Sequence, residues 1–172
     1  MNSISLAIAV LLIGSGYFLL GSRAASAGRA AGARLHSLPH YYGLFTGLVS
    51  ALPALALLIV LAIGDDILFR SMAQDFVPAD VKAAENYKEI IVLAQITNLL
   101  DGINFGEQPD WVHAAAEAWR DWDATSTTLK TVTTLSLALL GGMFAYRRIN
   151  PAFRSRNAVE LSLIHISEPT RP

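Results

Sequence analysis

Cysteine is absent from the 172 residues, so the chain has no disulfide, no thiolate metal ligand and no cysteine nucleophile. Charge is scarce too: Asp, Glu, Lys and Arg make up 16 % of the chain, against about 25 % in a soluble domain. A net charge of −1 gives no overall basic footprint, and no nucleic-acid partner is expected. The sequence contains no phosphate-binding glycine loop, no G-x-S-x-G elbow and no H-E-x-x-H pair. The chain is therefore not expected to be an enzyme, and no catalytic, cofactor-binding or metal-ligating residue is assigned.

The sequence is instead apolar, at 53 % without counting glycine and with a mean hydropathy of +0.42. The apolar residues fall in three blocks separated by nearly all the charge. A bilayer core of about 30 Å needs about 20 apolar helical residues to cross it. Spans are expected at about 4–21, 41–64 and 128–146. The first two runs are free of charge, and the second carries Pro53, which a membrane helix tolerates when neighbouring groups satisfy the freed carbonyl. The apolar part of the third, Thr131 to Tyr146, is short, so the helix is expected to begin within Ala124–Thr128, with Lys130 snorkelling outward. The expected fold is an all-α membrane protein: three transmembrane helices, with a helical extracytoplasmic loop (65–127) between the second and third.

Lys/Arg asymmetry sets the expected orientation. Arg23, Arg29 and Arg34 follow the first span without any acid, and Arg147, Arg148, Arg154 and Arg156 follow the third. The stretch Asp65–Lys130 holds 12 acids against 5 bases. The basic segments are expected in the cytoplasm of a bacterial inner membrane and the acidic loop in the periplasm. The N-terminus is then periplasmic and residue 160 cytoplasmic. A cleaved signal peptide would carry its positive charge before the apolar run; here the arginines follow it, which fits a reverse anchor.

Within the loop, Pro78 and Asp80 are expected to open a helix that runs through Val81 to Leu100 and stops at Gly102. A second helix is expected near Pro109–Asp110, with Trp111, Ala115, Ala118 and Trp122 on one face. Three tryptophans just ahead of the third span suit an interfacial aromatic belt. Asp65 and Asp66 are read as the water boundary of the second span. His36 and His40 are four residues apart but separated by Pro39, and no carboxylate lies in their segment, so they read as an elbow. His113 and Glu117, also four apart, read as a solvated face. No ionisable residue falls within an apolar run, so these spans show no proton relay or ion pathway. Gly14, Gly16, Gly141 and Gly142 supply small surfaces, and Gly43-x-x-x-Gly47 has the helix-packing spacing.

The stretch RLHSLPHYYGLFTGLVSALPALALL, Arg34–Leu58, is more distinctive than its composition. It resembles the N-terminal region of the permease subunit of bacterial phosphate ABC importers of the PstC type. The resemblance rests on Leu35, His36, Ser37, Leu38, Pro39, Tyr41, Tyr42 and Gly43 at the elbow, then on Pro53 within Leu52-Pro53-Ala54. Phe153–Glu160 (FRSRNAVE) is similar to the basic segment ahead of the core helices in that family. The resemblance implies several partners besides the lipid bilayer: a second permease subunit, a cytoplasmic ATPase dimer and a periplasmic phosphate-binding protein. It also implies that the translocation helices and the ATPase-coupling loop lie downstream of residues 1–160, so no pathway residue is carried over.

Leu161–Pro172 (LSLIHISEPTRP) resembles one translated frame of a sequencing-library adapter, and is expected to be a non-native tail on a permease fragment. The rival expectation is the membrane and sensor region of a signalling protein such as a histidine kinase. That class also presents an external segment between spans and sends a basic linker inward.

Overall fold

Asn2 opens the first helix. Its Oδ1 accepts the Ser5 amide at 2.8 Å, satisfying one of the donors that a helix start leaves free. The computed structural model describes residues 2–32, 37–85, 87–103 and 106–149. Helix α1 spans Ser3–Ala30 and α2 spans Pro39–Ala73, followed by a 3-10 turn at Gln74–Phe76. Next come the short α3 (Ala79–Lys82), α4 (Glu89–Leu100) and α5 (Asp110–Arg147). Among the described residues every regular element is helical. Three of these helices are long and apolar enough to cross a membrane.

All three long helices outrun the expected spans. At 28 residues, α1 passes through Arg23 and Arg29 before ending. Its last turns are rich in alanine, the best helix former. Gly32, at φ +89°, takes the left-handed conformation beyond the end, with its amide on the Arg29 carbonyl at 3.1 Å. Helix α2 starts with Pro39, whose fixed φ and missing N–H suit a first helical position. It does not stop at Asp65–Asp66. It continues to Ala73, so the segment assigned to a loop begins with two more helical turns. The expected helix ahead of the third span and that span are one element, α5, 38 residues long. Neither glycine nor proline interrupts its Thr-rich middle.

The chain divides into two units, Met1–Ile59 with Thr131–Pro172, and Val60–Lys130. In the first, α1 and the early part of α2 run antiparallel, with the late part of α5 against them. Val10, Ala51, Ala54 and Ala138 are buried together, and Ile13, Leu55 and Leu135 pack around them. Small residues at this core let the backbones approach, which is how helices associate where lipid removes the hydrophobic driving force.

The second unit buries Ala73, Leu93, Ile96, Val112, Ala115 and Ala116 together. The expected single helix from Pro78 to Leu100 is interrupted: α3 ends at Lys82, and α4 restarts after Lys88, which is extended at φ −135°. The restart buries Val92, Leu93 and Ile96. The end of α4 is as expected. Gly102, at φ +77°, donates to Leu99 O at 3.2 Å while Ile103 donates to Asn98 O at 2.8 Å, the paired bonds of a Schellman stop. The buried face of α5 centres on Val112, Ala115 and Ala116, with Trp111 and Trp119 packed against it; of the expected stripe, Ala115 is buried and Trp111, Ala118 and Trp122 are half-buried.

Candidate functional site in the membrane helices and the inter-span segment

Of the residues that carry the family motif, Leu35 and His36 lie outside the described residues, as do Phe153–Glu160 and the tail 161–172. Ser37 and Leu38 lead into α2, and Pro39, Tyr41, Tyr42 and Gly43 form its first turns. Tyr42 is fully buried. His40 is exposed, with its ring 4.2 Å from that of Tyr41.

Gly43 and Gly47 both face α1. A methyl at Gly43 would sit 2.6 Å from the Phe18 carbonyl oxygen, and one at Gly47 would sit 3.0 Å from that of Gly14. At Gly14, in turn, an added methyl would sit 2.9 Å from Ala51 Cβ. Gly16 faces open space, and Gly21, which the sequence reading passed over, lies against Thr46 instead.

Hydroxyl groups join these close approaches. Thr46 Oγ1 donates toward the Tyr17 carbonyl at 2.8 Å, across from α2 to α1. Ser50 Oγ donates to Ala138 O at 2.8 Å, and the Tyr17 hydroxyl to Leu139 O at 3.0 Å, so all three helices are linked. Pro53 has no N–H for the carbonyl of Val49, four residues earlier. Gly141 of α5 packs against that carbonyl, where an added methyl would be 2.7 Å from the oxygen. The glycine on the third span thus leaves room beside the carbonyl that Pro53 frees.

In the second unit, Asp65 is paired across to α5. Its Oδ2 accepts from Lys130 Nζ at 2.6 Å and from the Ser126 hydroxyl. The Asp65 and Lys130 side chains are only 19 % and 12 % exposed. Lys130 neutralises an acid on the facing helix. Asp66 instead pairs with Arg70 one turn on, at 3.0 Å and exposed. Phe69 is buried, with the Trp119 ring edge-on at 5.8 Å and that of Trp122 at 6.0 Å. Two of the three tryptophans are thus partners of a packed aromatic cluster. No sequence periodicity marks the Asp65–Lys130 pair, because its members lie 65 positions apart; the only signal was a lone lysine flanking an apolar run.

His113 and Glu117 are both exposed on α5. Among the described residues no group of His, Asp and Glu is placed to hold a metal ion. Hydroxyls and glycines fix how the helices meet within the first unit, and a shielded ion pair joins α2 to α5 within the second.

No curated protein and no solved structure matches the chain. A family model described as "Phosphate ATP-binding cassette transporter" matches residues 6–105, more than half the length. The match takes in α1, α2 and the segment through α4, and so includes Pro53 and the glycines Gly14, Gly43 and Gly47, whose close approaches hold the first two spans together. On that match, this three-span membrane protein belongs to the phosphate ATP-binding cassette transporter family.

Proposed function

We propose that the chain is the N-terminal membrane region of the permease subunit of an ATP-driven phosphate importer of the PstC type. In this reading, residues 1–160 form an extension ahead of the translocation helices, and 161–172 are a non-native tail. The observation that carries it is the family match over residues 6–105, which contains the elbow Ser37–Gly43 and Pro53. The contacts around these residues support a scaffold role. The hydroxyls of Tyr17, Thr46 and Ser50 each bond a backbone carbonyl of a neighbouring helix, and the apolar runs hold no ionisable side chain that would carry an anion across. The region has no catalytic role of its own.

The partners proposed for the whole protein are a second permease subunit, a cytoplasmic ATPase dimer that drives alternating access, and a periplasmic phosphate-binding protein. The location proposed is the bacterial inner membrane. The distribution of arginine supports a periplasmic N-terminus and a cytoplasmic residue 160. The segment between α2 and α5 would then face the periplasm, with a net excess of acid. The sensor alternative has no comparable support, because the matched family is one of transport.

A long read of the source DNA across the codon for Glu160 tests the reading. Continuation into further apolar spans with a cytoplasmic coupling loop is the expected result. A heptad-patterned linker leading to a kinase domain would overturn it in favour of a sensor, and a stop codon directly after Pro172 in native sequence would remove the transport scaffold. Orientation is tested separately in the cysteine-free chain. Ser3→Cys and His113→Cys should react with a membrane-impermeant maleimide in intact spheroplasts, and Gly28→Cys only after permeabilisation.

A further inference from the structure

The groove between α1 and α2 has an apolar body and a basic end. It encloses about 380 Å³, within the range of about 300–1,000 Å³ typical of ligand clefts. Leu11, Ser15 and Leu19 line it from α1, and Leu44 and Leu48 from α2, over a floor that includes Gly14 and Gly47. Ser15 offers no free donor, since its hydroxyl is bonded to Leu11 O at 2.8 Å. Leu11 and Leu19 are each 52 % exposed, so the groove opens outward from the bundle toward lipid.

The residues on its two rims recur every fourth position, which on a helix places them in one row. Continued by one turn, the α1 row Leu11–Ser15–Leu19 reaches Arg23. The α2 row Leu48–Leu44 reaches His40. Because α1 and α2 are antiparallel here, with Gly14 opposite Gly47 and Gly21 opposite Thr46, both rows meet their basic residue at the same end. Arg23 and His40 are exposed. No acid occurs anywhere before Asp65, so nothing in these two helices neutralises that end.

An apolar trough that ends at an arginine and a histidine, with no acid ahead of Asp65 in the chain, matches one ligand chemistry, an acyl chain joined to an anionic headgroup. We propose that this groove is a binding site for an anionic phospholipid: one acyl chain lies along Leu11–Leu19 and Leu44–Leu48, and the phosphate sits at Arg23 and His40. Basic clefts between membrane helices hold acidic headgroups in this way. The site belongs to whichever leaflet Arg23 faces, so it does not depend on the permease reading or on the orientation.

The test is native mass spectrometry of the full chain in mild detergent. It uses an equimolar mixture of phosphatidylglycerol and phosphatidylcholine with identical acyl chains. Retention of phosphatidylglycerol should exceed that of phosphatidylcholine by about fivefold, the contribution of roughly one basic side chain at an anionic headgroup. Arg23→Gln should bring the ratio close to one, and Arg147→Gln, on α5, should leave it unchanged. Leu48→Trp, and independently Ser15→Leu, should fill the trough and reduce retention of both lipids severalfold without lowering the melting temperature. A wild-type ratio near one would overturn the proposal. So would an equal loss in Arg23→Gln and Arg147→Gln, which would indicate general surface charge. Retention surviving in both folded trough-filling variants would also overturn it. A dimer mass in the wild type that those variants abolish would assign the groove to a second copy of the chain.

Discussion

Lys130 Nζ lies 2.6 Å from Asp65 Oδ2, and the pair joins α5 to α2 with both side chains less than one-fifth exposed. The Ser126 hydroxyl, one turn before Lys130, accompanies the ammonium on the same carboxylate oxygen. Removing one member of a shielded pair strands the other, and this costs more than the pair contributes when intact. Asp65→Asn or Lys130→Met alone should therefore lower stability by about 3 kcal/mol. The double variant should lose less than the sum of the two. A double-mutant cycle of denaturant unfolding in micelles measures this; strictly additive losses would show that the two groups do not interact.

Helix contacts through glycine predict a sharp contrast between positions of the same residue type. Gly43→Ala places a methyl 2.6 Å from a backbone oxygen of α1, where nothing can rotate aside. It should destabilise the bundle by about 1–3 kcal/mol through overpacking. Gly16 and Gly28 have nothing within 4 Å. At those two sites alanine should be neutral or stabilising by up to about 1 kcal/mol, the gain in helix propensity. Melting temperatures of the three variants side by side decide this, and a uniform response would contradict the packing.

How much of this was legible beforehand follows from what each feature depends on. The three spans could be read directly, since a charge-free run of about 20 residues has few other uses. So could the stop at Gly102, where a left-handed position calls for glycine. Where α2 ends and α5 begins could not. Asp65 and Lys130 look like boundary markers singly, yet α2 and α5 run through them and their side chains meet. The break between Lys82 and Glu89 runs against the propensity of Ala83, Ala84 and Glu85. It is set by which face of α4 reaches Ala73 and Val112, a tertiary preference that local sequence does not carry. The Gly43–Gly47 spacing was visible, but its partner surface at Gly14 and Phe18 was not.

Two buried hydroxyls on facing helices should respond to deletion with opposite sign. Ser50 Oγ bonds the Ala138 carbonyl across the helix interface. Ser50→Ala should cost about 0.6 kcal/mol, the size of a typical bond between membrane helices. Thr134 Oγ1 is buried without a hydrogen-bond partner. Thr134→Val keeps the shape and removes an unsatisfied group, so it should stabilise by up to about 1 kcal/mol. Reversible unfolding in detergent resolves the difference in sign. A loss of stability in Thr134→Val would mean that the hydroxyl has a partner after all.

The aromatic cluster separates a packing role for the tryptophans from an interfacial one. Phe69 is 6 % exposed and has both Trp119 and Trp122 against it, with Phe76 a further 6.1 Å from Trp122. Cutting Phe69 to alanine leaves a cavity lined by two indoles, and such truncations cost about 3–5 kcal/mol. Ile67, two residues earlier, is 65 % exposed, so Ile67→Ala should cost well under about 1 kcal/mol. Tryptophan emission gives a second readout. In Phe69→Ala the indoles gain access to solvent, so the emission should shift to longer wavelength and quenching by iodide should increase, whereas Ile67→Ala should leave both unchanged. If the rings acted only as an interfacial belt, neither stability nor emission would distinguish the two variants, because an indole anchored at a headgroup does not depend on a phenyl ring beneath it.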